Sequence, residues 1–292
     1  MSNRKRRFGD RYDGRLLRTI DPFFKIIPYI MATRVDAQNF FEEKIPLEPI
    51  EAYLREKRQS GIKNIGFLHV VMAAMIRTLS QKPQLNRFIA GQKIYARNEI
   101  LISFAIKKEM NEDSPETTIK LRFLPTDTIM DVVEKVNKAI EENKGAQAQN
   151  DTDKTARFIT MCPGFLIKFI VWFCKLLDYY GWMPKILNEV SPFHTSIFVT
   201  DLGSLGIQSI YHHLYNFGTT SIFVAFGAKQ RERVLDKEGN IKERKFITVK
   251  IVVDERIADG YYFASAFKLF RNLISFPQKL EEPPEKVVED ID

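Results

Sequence analysis

The sequence predicts an α+β fold, a layer of helices packed on a mostly antiparallel sheet. Three observations carry this. Strand-like and helix-like segments are interleaved along the chain. Two long β-rich runs, Ser221–Leu235 and Lys242–Asp254, flank DKEGN, whose Gly239-Asn240 pair is a hairpin signal. Several apolar helical segments are available to cover the resulting sheet.

In chain order, MSNRKRRFGDR is basic and has no apolar core of a secretory signal behind it. Pro28–Ala37 reads as a strand, Leu47–Ser60 as a surface helix ending at Gly61, and Ile65–Leu79 as a buried helix stopping before Pro83. Short strands are expected at Leu85–Ile89, Lys93–Tyr95 and Ile100–Lys107, then at Thr117–Leu124 after the polar loop NEDSPE. Thr126 can cap a helix over Ile129–Glu142, where Ile129, Val132, Val133, Val136 and Ile140 recur at helical spacing. Asn143–Thr155 is polar and loop-like. The apolar run Phe165–Leu177 is interrupted by Lys168 and Lys175 and falls short of the ~20 residues of a membrane span, so a buried or partner-facing helix is expected, with an interfacial membrane helix as the alternative. The acidic tail EEPPEKVVEDID is expected to fray.

Composition narrows the function. With 45% hydrophobic and 28% charged residues the chain is globular, and Cys162 and Cys174 form neither a metal nor a redox pattern. A cytoplasmic, reducing location is the expectation. The net charge of +7 is spread along the chain apart from Arg4–Arg7, so no nucleic-acid partner is expected; attraction of a phosphorylated ligand is the other use of such charge. Four scattered histidines give no metal-ligand spacing, and no G-x-S-x-G elbow is present.

The C-terminal third is more specific. The order TSIFVTDLGSLG (Thr195–Gly206), a long hairpin, then DERIADG (Asp254–Gly260) and a helix resembles the catalytic domain of the dihydrolipoyl acyltransferases of 2-oxo acid dehydrogenase complexes, within the chloramphenicol acetyltransferase-like superfamily. Those motifs read roughly F-T-[IV]-[ST]-N-L-G and D-H-R-x-x-D-G. Upstream, the helix before Lys82-Pro-Gln-Leu-Asn86 and the strand Ile100–Ile106 fall in the family's order, so the resemblance covers about Ile20 to Leu280. It implies a basic arm over 1–19, an acyltransferase-like domain over 20–280 and an acidic tail over 281–292.

The resemblance also implies a homotrimer with active sites between subunits, coenzyme A or acyl-CoA as substrate, a small-molecule acyl acceptor, no metal and no membrane span. No lipoyl domain, and hence no covalent lipoyl group, is expected ahead of a domain that begins so near the N-terminus. Matched residue by residue, Thr200 takes the oxyanion-donor position, Asp259 that of the motif aspartate and Gly260 the helix start. Asp201 stands where asparagine is usual, and Glu255 stands where the family has its catalytic histidine.

That replacement changes the chemistry. With reference pKa values of about 8.5 for a thiol, 6.5 for histidine and 4.3 for glutamate, proton transfer from a thiol is uphill by ~6 kcal/mol to glutamate against ~3 to histidine. Three readings follow. Glu255 is the general base; or the base has moved to His212 or His213, which follow the Thr200 motif closely; or the fold is kept without catalysis, as a CoA-thioester sensor or scaffold. Structural uses compete with each: an ion pair of Glu255 with Arg256 or another subunit, packing roles for His212 and His213, a core role for His69, and a turn or site-lining role for His194. The helix Phe165–Leu177 and the loop Asn143–Thr155 are expected, by elimination, to shape the substrate entrance.

Overall fold

Helix-start chemistry and strand alternation explain the element order. The computed structural model describes residues 5–107, 116–143, 151–235 and 238–292. Strand β1 is Gly14–Leu16. Asp21 then accepts a hydrogen bond from the Phe23 amide at 2.8 Å and Pro22 opens the first turn, which together start helix α1, Pro22–Ile30. The strand expected over Pro28–Ala37 is therefore absent. Pro28 lies inside α1, Val35–Ala37 is a 3-10 turn, and strand β2 follows at Gln38–Pro46.

Helix α2 (Glu48–Gln59) precedes α3 (Phe67–Gln81), whose residues from His69 to Ser80 are all buried. A 3-10 turn at Pro83–Asn86 delays the next strand, so β3 is Arg87–Ala90. Strands β4 (Lys93–Arg97), β5 (Ile100–Lys107) and β6 (Glu116–Phe123) follow. Most of the polar loop between β5 and β6 lies outside the described residues. Helix α4, Ile129–Asn143, is opened by Thr128 rather than Thr126: its hydroxyl and amide both donate to the Asp131 carboxylate, at 2.7 and 2.8 Å.

Of the loop expected over Asn143–Thr155, residues 144–150 lie outside the described residues, and Asp151 onward belongs to helix α5, Asp151–Thr160. Helix α6 is Gly164–Tyr180, closed by Gly181 in the left-handed conformation at φ 74°. Helix α7 (Lys185–Val190), strands β7 (Ile197–Asp201), β8 (Ile222–Leu235) and β9 (Ile241–Asp254), and helix α8 (Gly260–Ser275) complete the chain.

Among the described residues the strands form two sheets. The larger runs β2-β9-β8-β7-β5-β6 and the smaller β1-β4-β3. In the larger sheet the β7 pairings with β5 and β8 are parallel and the other three are antiparallel. One face of this sheet, carrying Ile197, Val199, Ile222, Val224, Ile251 and Val253, packs on the helices in the main core. The other face carries Phe198, Phe223 and Val252, covered by Leu214 and Tyr215. Strand periodicity of two sorts successive residues between these faces.

The acidic tail does not fray. Val288 donates its amide to the Ser80 carbonyl at 3.0 Å, and the Asp290 carboxylate receives Arg87 Nε and Nη2, both at 2.6 Å, with side chains 5% and 3% exposed. Arg87 also donates to the Ile257 carbonyl at 3.1 Å, so the tail holds the strand that holds the DERIADG turn. Removing one partner of a buried pair costs about 3–5 kcal/mol. Asp290→Ala is expected to lower unfolding free energy in urea by about that much, while Glu285→Ala, in the exposed part of the tail, changes it by less than about 0.5 kcal/mol.

Candidate active site

The turn after β9 is built around Asp254. Asp254, fully buried, receives Arg256 Nε at 2.8 Å and Nη2 at 2.7 Å side-on, and the Arg256 amide at 3.2 Å, within a turn closed by the Ile257 amide on the Asp254 carbonyl at 3.2 Å. Arg256 is 2% exposed and also donates to the Met31 carbonyl at 2.8 Å. Arg34 Nε stands 3.5 Å from the same carboxylate, and its other nitrogens donate to the Tyr215 and Ile89 carbonyls at 3.0 and 2.9 Å. Burial, ahead of the neighbouring charges, lowers the Arg34 pKa from its usual value.

Glu255 points the other way. Its amide donates to the Ala37 carbonyl at 2.9 Å, and its carboxylate receives Asn39 Nδ2 at 2.7 Å. An ion pair of Glu255 with Arg256 is thus excluded within the chain, because Arg256 is engaged by Asp254. Asp259 caps α8, accepting from the Tyr262 amide at 2.8 Å, with Gly260 as the first helical residue.

Thr200 is half-buried near the end of β7, and among the described residues no side chain or backbone group hydrogen-bonds its hydroxyl. The following turn is built by Asp201, which accepts from the Ser204 amide at 3.2 Å; burial raises its pKa. Gly203 is required there, since a Cβ would come within 2.5 Å of the Gly227 carbonyl oxygen where β8 is bulged.

Register fixes the relation between the two motifs. Thr200 pairs with Ala225 and Ala225 with Lys250, so Glu255, one residue past the end of β9, lies five residues beyond Lys250 and two strands away. At ~3.3 Å per residue and ~4.8 Å between strands, the Cα atoms are roughly 19 Å apart. Within one chain Thr200 and Glu255 do not meet.

The histidines lie between them. His212 stacks on Phe223 at 4.6 Å, and Phe223 stacks on Phe198 at 4.9 Å, two residues short of Thr200 on the same strand. His213 is exposed and meets Tyr215 edge-on at 4.9 Å. His69 is a core residue, accepting from the Gly66 amide at 2.9 Å.

His194 is wholly buried, with Nδ1 2.7 Å from Ser191 Oγ and Nε2 3.3 Å from Asp178. Burial lowers its pKa despite the adjacent carboxylate, and the ring fastens the end of α6 to the segment before β7. Asp178 also receives Arg11 Nη2 at 2.6 Å, and its pKa is lowered because Arg11 and His194 outweigh the opposing effect of burial.

A cavity of about 690 Å³ lies elsewhere, lined by Arg11, Asp13, Arg97, Lys120, Asn188 and Asp290 among others. It contains none of Thr200, Glu255, Asp259, His212 or His213. In its wall Lys120 Nζ donates to the Asn188 and Ser191 carbonyls at 2.7 and 3.2 Å, and burial, aided by Arg97, pushes its pKa down to about 7. Periodicity in β6 puts Lys120 on the same face as exposed Arg122, so no local pattern marks it. Among the described residues no His/Cys/Asp/Glu group is arranged to hold a metal ion.

This architecture defines a class, the chloramphenicol acetyltransferase-like acyltransferase fold. Chloramphenicol acetyltransferase itself superposes with a TM-score of 0.53 at 10% identity, covering 89% of this chain and 99% of the other. The chain resembles more particularly the catalytic domain of the dihydrolipoyl acyltransferases: residues 190–281 match the family model of the 2-oxoacid dehydrogenases acyltransferase catalytic domain. A probable dihydrolipoamide acetyltransferase from Listeria monocytogenes superposes with a TM-score of 0.56 at 13% identity, covering 93% of this chain and 97% of that one. The cubic core of a pyruvate dehydrogenase multienzyme complex gives 0.55 at 13% identity, with 88% and 87% covered. No curated protein matches the chain in sequence.

Between pH 7 and about 10, an unfolded Lys120 holds a proton that the folded protein does not. Stability therefore rises with pH across that window, and below pH 7 the folded lysine is protonated and carries its burial penalty. In Lys120→Met this contribution to the slope of unfolding free energy against pH between 7 and 9 is expected to vanish, as denaturant titrations at several pH values would show.

Proposed function

We propose that the protein transfers an acyl group from a CoA thioester to a small-molecule acceptor at sites formed between the subunits of a homotrimer. The observation that supports this best is the separation of the two motif residues. Thr200 and Glu255 sit at sheet positions roughly 19 Å apart in one chain, so a site using both needs two copies. In the Azotobacter vinelandii dihydrolipoamide acetyltransferase, which superposes at 14% identity, a serine, a histidine and an asparagine were investigated for their role in the catalytic mechanism. The latter two have the spacing of Glu255 and Asp259 here.

In this reading Glu255 of one copy accepts the proton of an acceptor R–XH, which attacks the thioester carbonyl. Asn39 fixes the carboxylate's orientation. Thr200 of the next copy donates its hydroxyl hydrogen to the oxyanion of the tetrahedral intermediate. Collapse breaks the C–S bond, and the departing CoA sulfur takes the proton back from Glu255. Asp259 acts as a positioning residue, through its cap on α8. The buried Asp254–Arg256 pair positions Glu255 in the same way.

His212 and His213 are the competing base. The half-buried stack of His212 on Phe223 supports a packing role for it. The non-catalytic alternative, a CoA-thioester-binding or scaffold protein, rests on the missing motif histidine. A cytoplasmic location accompanies either reading; among the described residues no helix is long and apolar enough to cross a membrane.

Calorimetric titration with coenzyme A and acetyl-CoA is expected to show saturable binding at one site per chain; absence of binding at millimolar ligand would reject the reading. With acetyl-CoA and a dithiol acceptor, Thr200→Ala is expected to lower kcat about 10²–10³-fold with mass and fold unchanged. Glu255→Gln should abolish turnover while His212→Gln and His213→Gln keep most of it. The reverse pattern would move the base to the histidines.

A further inference from the structure

Helix α6 is apolar nearly all round, yet Asp178 is its one buried residue among Gly164–Tyr180. A helix of that character is ordinarily enclosed. Of the buried or partner-facing helix expected from the sequence, the buried form is not what the single chain shows.

Projected at 100° per residue, Tyr179, Trp172, Phe165, Leu176, Phe169, Tyr180 and Phe173 fill an uninterrupted arc of about 120°. All seven are exposed, from 37% for Leu176 to 77% for Phe165. Lys168 and Lys175 lie together at one edge of the arc, both exposed. Past the helix, Trp182 and Ile186 are 71% and 69% exposed. The helix's only acid, Asp178, is turned inward onto Arg11 and His194. Every exposed charge on α6 is therefore positive.

We propose that α6 lies flat in the headgroup layer of an anionic lipid surface, its aromatic arc toward the acyl chains and Lys168 and Lys175 at the phosphates. Tryptophan and tyrosine suit that layer because each has an apolar ring and one polar atom. The two lysines reach the phosphates from the edge of the arc while their stems stay apolar. At 17 residues with two lysines, α6 is too short and too charged to span the bilayer. Charge decides between this surface and a second protein: an arc whose one charged edge carries only cations matches an anionic plane. This inference is independent of the proposed chemistry.

The full-length protein would be floated with phosphatidylcholine vesicles and with vesicles containing about one-third phosphatidylglycerol, which gives the surface its negative potential. Flotation with the anionic vesicles only, lost at high salt, and a blue shift of tryptophan emission are expected. Lys168→Gln and Lys175→Gln should each weaken binding about five-fold, and Phe169→Ser with Trp172→Ser at least ten-fold. These side chains are more than half exposed, so the substituted proteins should keep the parent circular dichroism. No flotation with either vesicle would overturn the proposal. So would a particle mass that falls on Trp172→Ser without any vesicle binding, which would assign the face to a second copy of the chain.

Discussion

The buried fork between Asp254 and Arg256 is the constraint on which the rest of the site depends. Both side chains are removed from water, so each is tolerable only while the other is present. Glu255, between them in the turn, makes its bonds elsewhere, to the Ala37 carbonyl and to Asn39. Arg256 reaches the last turn of α1 through Met31, and Arg34 ties the same carboxylate to the small sheet and to the segment that covers the outer sheet face. One ion pair thus sets the end of β9, the start of α8 and the direction of the candidate base.

A division of labour follows. Main-chain pairing in the large sheet places Thr200 and Glu255 on different strands, at different heights, each at a turn whose geometry is fixed by buried or glycine contacts. Neither turn needs the other to form. The cavity of about 690 Å³ lies away from both, and in its wall Lys120 holds the Asn188 and Ser191 carbonyls while Arg97 holds those of Thr195 and Thr219.

Much of this was legible in the sequence where local patterns decide. The alternation in β8 and β9, the spacing in α4 and the two motifs gave the sheet, the helices and the fold class. The failures have physical causes. Pro28–Ala37 has strand-like composition, but Asp21 and Pro22 supply a helix start that dominates the segment. The tail was read as frayed because its partners, Ser80 and Arg87, are about 200 residues away and no local pattern reports them. Glu255 and Arg256 are adjacent in sequence, but the turn from Asp254 to Ile257 folds the guanidinium back onto the Asp254 carboxylate instead. The exposure of α6 was hidden for a similar reason: an apolar run states what a helix avoids, not whether the fold supplies a cover.

The central claim is that Thr200 of one copy faces Glu255 of another. In a background of Cys162→Ser and Cys174→Ser, chains carrying Thr200→Cys would be mixed with chains carrying Glu255→Cys, refolded together and treated with a short bismaleimide. A covalent two-chain species that forms in the mixture and in neither parent alone is the expected result. Its absence, in a sample that light scattering shows to be trimeric, would contradict the shared site.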